Sequence, residues 1–178
     1  MRYAALLRGI NVGGKALIPM AALRECVEGV GHADVSTYIA SGNVIFDAPR
    51  RSAASLEAEL ERAIDQRFEL PVKVFVRTGA QLDAVAKAVP KKWVGNAKLR
   101  CNGIFLAREI DRASIVDELA PKHGLEEVVY VKGTLLWAAN VASLQRSSMV
   151  KLSRSPLYKQ MTVRNLNTTL KLRELVSR

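Results

Sequence analysis

Four short stretches combine side chains whose types and spacing could do chemistry. The first runs Tyr3-Ala-Ala-Leu-Leu-Arg-Gly-Ile-Asn-Val-Gly-Gly14, an apolar segment that breaks into a glycine-punctuated loop. Glycine tolerates positive φ and has no side chain, so the N–H groups of such a loop can close on an anion. Arg8 would neutralise charge, Asn11 would orient the ligand, and Gly13 and Gly14 would permit the approach of the backbone. The Gly-x-x-x-x-Gly-Lys-Ser/Thr pattern of a P-loop is absent, and Gly9-x-x-x-Gly13-Gly14 is only a loose analogue of it. The second stretch, Ser41-Gly42-Asn43, has the composition of a tight turn. The third, Thr162-Val-Arg164-Asn165-Leu-Asn167-Thr168, puts a guanidinium and amides where a strand gives way to a helix, whose free N–H groups favour an anion. The fourth, Lys91-Lys92-Trp93-Val-Gly-Asn-Ala-Lys98-Leu-Arg100, mixes cations with an aromatic. Exposed, it would track a phosphate backbone while Trp93 stacks on a base.

Each stretch also has a purely structural reading. The two glycine-bearing loops serve as tight turns, with Arg8 in a hydrogen-bond network. Asn167 or Thr168 caps the last helix while Arg164 forms a salt bridge. Trp93 packs at an interface between units. Ser148-x-x-Lys151 has the spacing of a nucleophile pair on one helix face, but it sits in a strongly basic segment beside Arg146 and Arg154, where Lys would keep its proton. His32 and His123 stand in loops with no acid close by in sequence, and Glu57, Glu59 and Glu61 read as helix surface. No catalytic residue is identified.

Composition narrows the classes. With 178 residues, the chain can build one good core or two smaller units. No apolar run approaches the roughly 18 residues of a membrane span. Met1-Arg2-Tyr3 enters a strand pattern directly, without the signature of a signal peptide, and Cys26 and Cys101 read as two buried thiols, so a cytoplasmic protein is expected. Two cysteines and two histidines at these spacings form no metal site, and no cofactor is expected. The net charge of +10 is lopsided. Residues 1–77 hold 10 Lys/Arg and 9 Asp/Glu, whereas 78–178 hold 17 and 8. An anionic partner would account for this, as would a solvated basic face.

The elements that must position these residues follow from periodicity. A strand at Tyr3–Arg8 leads to a helix opened by Pro19, with Met20, Leu23, Val27 and Val30 on one face and Gly29 and Gly31 at its end. Val35–Ile39 and Val44–Phe46 are strands joined by the Ser41-Gly42-Asn43 turn. Ser52 caps a helix whose Leu56, Leu60, Ile64 and Phe68 fall four apart, and Val72–Val76 is a fourth strand. The order βαββαβ is the ferredoxin-like split. A bridging helix (Leu82, Val85, Val89) and the basic connector follow, and the order then restarts. Gly103–Ala107 is a strand, Asp111 caps a helix through Leu119, and Glu126–Val131 and Thr134–Ala139 form a hairpin across Lys132-Gly133. Ser143–Leu152 is a helix, Met161–Arg164 a strand and Leu166–Val176 a closing helix. The expected fold is α+β: unit 1 over 1–77, bridge and connector over 78–100, and unit 2 with its C-terminal helix over 101–178, each sheet antiparallel. In the order 4-1-3-2, strands one and three are neighbours, which brings Arg8, Asn11, Gly13 and Gly14 to the same edge as Ser41, Gly42 and Asn43.

Three motifs resemble a bacterial family, domain of unknown function sixteen-ninety-seven. They are Tyr-x-x-Leu-Leu-Arg-Gly-Ile-Asn-Val-Gly-Gly at Tyr3–Gly14, Thr-Tyr-Ile-x-Ser-Gly-Asn-Val-x-Phe at Thr37–Phe46, and Tyr-Lys-x-Met-Thr-x-Arg-Asn-x-Asn-Thr at Tyr158–Thr168. They span essentially the whole chain. The resemblance implies two ferredoxin-like units and no particular activity. From the residues, the leading expectation is an anionic or phosphorylated small ligand at Arg8, Asn11, Gly13, Gly14, Ser41, Gly42, Asn43, Arg164, Asn165 and Asn167. The alternatives are a nucleic-acid module using Lys91, Lys92, Trp93, Lys98 and Arg100, and an enzyme acting on an anionic metabolite.

Overall fold

In the computed structural model, which describes residues 1–14 and 16–177, two four-stranded antiparallel sheets are laid down in succession. The first is built from β1 (Arg2–Leu7), β2 (Ala33–Tyr38), β3 (Asn43–Asp47) and β4 (Val74–Thr78), in the order β2-β3-β1-β4. The second, from β5 (Leu99–Leu106), β6 (Glu126–Val131), β7 (Thr134–Asn140) and β8 (Met161–Asn165), has the order β6-β7-β5-β8. The two orders are the same permutation, so the repeat expected from element order is present in the topology. By its contacts the chain divides into Met1–Gly79 with the stretch from Leu172 onward, and Ala80–Lys171.

In the first unit, α1 (Met20–Gly29) and α2 (Ala53–Phe68) cover one sheet face. The start of α2 is local chemistry: Ser52 Oγ accepts the Ser55 N–H at 3.2 Å. Leu56, Leu60 and Ile64 then recur every fourth residue and are at most 1% exposed, packed on Tyr3, Ala5, Leu7, Phe46 and Val76. Burial of each such side chain contributes roughly 1.5–3 kcal/mol. Residues of the opposite parity, Ala4, Leu6, Ile45 and Phe75, are equally buried. A sheet apolar on both faces explains why these strands read as continuous hydrophobic runs without alternation.

The second unit carries most of α3 (Gly79–Ala88), α4 (Ile115–Leu119), α5 (Ser148–Leu152) and the first part of α6 (Leu166–Val176). Val85 of α3 and Leu166 of α6 pack with Trp93, Cys101, Leu136 and Ala138. Gly103 is what lets α6 lie close: a Cβ there would stand 2.7 Å from Thr169 Oγ1. The Lys132-Gly133 turn closes the β6–β7 hairpin, with Val131 paired to Thr134.

Four expectations are corrected. Asp111 does not cap α4. Its Oδ1 accepts from Tyr130 Oη (2.9 Å) and the Gly133 amide (2.7 Å), tying the loop to the hairpin instead. The helix expected over Ser143–Leu152 is two pieces, a 3-10 segment at Val141–Arg146 and α5. The break falls where the Ser148 amide turns to the Glu126 carboxylate. Neither Asn167 nor Thr168 caps α6; Asn165 Oδ1 does, accepting the Thr168 N–H at 2.7 Å. Ile39 is not the end of β2 but takes φ +50° and belongs to the turn. Among the described residues no helix is long and apolar enough to cross a membrane, and no three His, Cys, Asp or Glu side chains gather as a metal site would require.

Candidate functional site

The glycine-rich loop after β1 and the β2–β3 turn do meet at one end of the first sheet. The Leu7 amide donates to Gly42 O at 2.8 Å, and Asn11 Nδ2 donates to Ala40 O at 2.8 Å. Gly42 sits at φ +75°, where a Cβ would stand 2.7 Å from Ile10 Cδ1 and 2.9 Å from Leu7 Cβ. The turn therefore needs glycine for both conformation and space.

The polar side chains expected to serve a ligand here are engaged by the chain itself. Asn11, at φ +54°, also donates Nδ2 to Ile18 O (2.9 Å) and accepts the Ile18 amide on Oδ1 (2.8 Å). Both ends of its amide thereby staple the loop shut. Asn43 is 0% exposed and donates Nδ2 to Tyr38 O and Ser41 Oγ. Gly13 and Gly14, at φ +60° and +72°, are exposed with open space around them. These two glycines offer their backbone to solvent, and Arg8, whose amide donates to Lys73 O at 2.9 Å, is half-buried at the start of the loop.

In the second unit the residues from two of the four stretches come together. A cleft of about 460 Å³ has Trp93, Asn96 and Arg100 from the connector and β5 on its wall, with Asn165, Leu166 and Asn167 from the β8–α6 junction. Among the described residues its lining contains no carboxylate. The connector is held in place by Asn96, whose Nδ2 donates to Lys92 O (3.1 Å) and whose Oδ1 accepts the Lys98 amide (3.0 Å). The Val141 amide donates to Lys98 O at 2.9 Å, which brings the end of β7 to the cleft. Asn165 and Asn167 are exposed at the start of α6, where the first amides have no intrahelical acceptor.

Two expectations about this region change. Trp93 is 2% exposed, and its indole N–H reaches Glu127 Oε2 at 3.3 Å. Its ring belongs to the core of the second unit and presents no free face for a base. Lys92 is engaged with Glu127 at 2.7 Å, and that contact holds the Glu127 carboxyl below its usual range. Lys91, Lys98 and Arg100 are exposed, and among the described residues Arg100 has no ion-pair partner.

Arg164 is not on the cleft wall. It is 7% exposed, donates to Thr162 Oγ1 (2.9 Å) and Val163 O (3.0 Å), and burial lowers its guanidinium to about 10. Arg77 occupies the matching place in the first sheet, opposite Ala4 as Arg164 is opposite Gly103, and likewise donates to the carbonyl before it. The pair reads as a structural feature of the repeat.

Ser148 and Lys151 are not a nucleophile and its base. Ser148 Oγ and N–H both donate to Glu126, while Lys151 is exposed. Burial would raise the Glu126 carboxyl, but donors from Lys122, Ser148 and Trp137 outweigh it and hold it below its usual range. Cys101, in the cleft wall, has its thiol pushed up by burial and by Glu127, which opposes thiolate chemistry. Sequence reasoning missed Asn96 and Val141 as cleft residues. The Gly95-Asn96 pair, just past the connector tryptophan, was the legible signal of a turn, and Gly95 takes φ +69°.

A search of curated proteins finds no match. Among solved structures, a conserved bacterial protein from Streptococcus pneumoniae is similar at 27% identity over 98% of both chains, with a TM-score of 0.85. The family match ends at residue 137, short of the β8–α6 junction that supplies part of the cleft. Over residues 1–137 the sequence matches the protein family of unknown function DUF1697, and the chain belongs to that family.

Proposed function

We propose that this protein binds a small anionic ligand, a phosphorylated metabolite by preference, in the cleft of its second unit. The observation that carries the reading is the composition of that cleft: Arg100, the exposed side-chain amide of Asn167 and the N-terminus of α6, with no carboxylate among the described residues of the lining. The guanidinium supplies charge and fork-shaped donors, the helix start supplies oriented N–H groups, and the Asn167 amide fixes orientation, while Asn96 holds the connector that carries the wall. Leu99 and Val141 give an apolar wall for the rest of the molecule. The volume, about 460 Å³, suits a metabolite. The free thiols of Cys26 and Cys101, both buried, support a cytoplasmic setting for it.

The glycine edge of the first unit is the second place for such a ligand. It would use the backbone of Gly13 and Gly14 with Arg8, since Asn11 and Asn43 are committed to the fold. A nucleic acid on Lys91, Lys98 and Arg100 is the competing reading of the second unit, favoured by their exposure.

A thermal-shift panel of nucleotides, sugar phosphates, coenzymes and a short single-stranded RNA tests these readings. At 100 times Kd a ligand stabilises by about 2.7 kcal/mol, worth roughly 5–10 °C for a chain of this size. A shift with one phosphate compound, lost in Arg100→Ala and Asn167→Ala, supports the cleft. A shift with RNA alone, erased by salt, replaces it with the nucleic-acid reading. No shift with any of them refutes all three.

A further inference from the structure

A second cleft of the same unit lies among α4, the loop that follows it, α5 and the 3-10 segment at Pro156–Gln160. It encloses about 360 Å³ and shares no residue with the first. Its walls are apolar, with Leu119, Leu152 and Leu157 prominent, and Lys122 and Lys151 stand in its lining as exposed cations. Glu118, the one acid in the lining among the described residues, is paired with Arg112. Among the described residues neither lysine has an ion-pair partner. A further oddity is Ser155, also in the lining, whose Oγ is shut off from solvent with no hydrogen-bond partner among the described residues. Buried hydroxyls are rarely left so.

We propose that this cleft is a binding site for a small amphipathic carboxylate. Its apolar body lies against Leu119, Leu152 and Leu157, and its head group sits between Lys122 and Lys151. An ammonium on a flexible stem suits a compact monoanion, whereas forked recognition of phosphate draws on arginine, which this cleft lacks and the first one has. The volume is near the lower end for small-molecule sites, which excludes bulky lipids.

Calorimetric titration of the whole chain with octanoate, 1-octanol and inorganic phosphate, at low salt, tests the assignment. Octanoate is expected to bind saturably at one site, with octanol and phosphate each at least tenfold weaker. Lys122→Met with Lys151→Met, both exposed positions whose change leaves the core intact, should weaken octanoate at least tenfold. Arg100→Ala, in the other cleft, should leave octanoate affinity unchanged whether or not that cleft binds phosphate compounds. The proposal is overturned by absence of saturable octanoate binding, by equal affinity for octanol, by binding indifferent to the two lysines, or by loss in Arg100→Ala.

Discussion

Replacing Gly42 by alanine isolates the contact that locks the β1 loop to the β2–β3 turn. Two costs add. The backbone at φ +75° is left-handed, which for an L-residue costs about 1–2 kcal/mol. The new Cβ also meets Ile10 Cγ1 at 2.8 Å and Leu7 Cβ at 2.9 Å. Ile10 can turn its side chain, but Leu7 Cβ is fixed to β1, so the turn itself must move. Overpacking of this kind costs typically 1–3 kcal/mol, giving a total of about 2–5 kcal/mol. Gly13→Ala is the internal control, since Gly13 has a similar φ of +60° but nothing within 4 Å of where its methyl group would stand. It should lose only the conformational part, about 1–2 kcal/mol. Urea unfolding of the three proteins, followed by far-UV circular dichroism, gives the difference directly. Equal losses in the two variants would refute the steric argument and with it the claim that the two loops are locked by close packing.

Two predictions concern buried titrating groups, and a third concerns the connector. His32 is stacked on Phe46 with Nε2 3.0 Å from Glu59, and burial lowers its imidazole below the ordinary value even so, with Arg51 acting in the same direction. The unfolded chain therefore takes up a proton that the native state resists, and stability should fall as pH drops through about 6.5. His32→Gln should flatten that limb of a midpoint-versus-pH curve; an unchanged slope would contradict the assignment. Glu126, held below the usual range, stabilises above the ordinary carboxylate pKa and loses that contribution in more acid solution. Glu126→Gln sets an amide NH₂ against one of the donors from Lys122, Ser148 or Trp137, at about 1–3 kcal/mol for each buried group left unsatisfied, read as a lower urea midpoint at pH 7 and a flatter acid limb. Asn96→Ala frees the Lys98 amide and Lys92 carbonyl, so hydrogen exchange at Lys98 should accelerate while the cores of both sheets stay protected.

The parts of this fold that local chemistry determines were legible from the chain. The Leu56-Leu60-Ile64 stripe, the Ser52 cap and the Lys132-Gly133 turn each follow from a handful of neighbouring residues. The βαββαβ order then fixed which loops share an edge, and Asn11 bonded to Ala40 O is the result. What misled were polar residues with two equally local uses. Asp111 suits a helix cap and a hairpin clamp alike, and only the position of Tyr130 and Gly133 decides between them. The same holds for Asn165, Asn167 and Thr168, any of which suits a helix start. Trp93 read as exposed or packed depending on partners far along the chain, Leu136, Ala138 and Leu166. His32 has no acid close by in sequence because its partner, Glu59, reaches it from another element. The candidate site divides the same way. Its arginine and asparagines stood out by type, but the cleft needs both neighbours of β5: β8 brings Asn165 and the start of α6, and β7 brings Val141, in a register that no local pattern encodes.

The most direct test of the central claim is an amide-resolved NMR titration of the whole chain with adenosine 5′-monophosphate and with pyrophosphate. Saturable shifts confined to Asn96, Arg100, Leu166 and Asn167, and absent in Arg100→Ala, are the predicted result. Shifts at Gly13, Gly14 and Gly42 with the second unit silent, or no saturable shift with either compound, would contradict it.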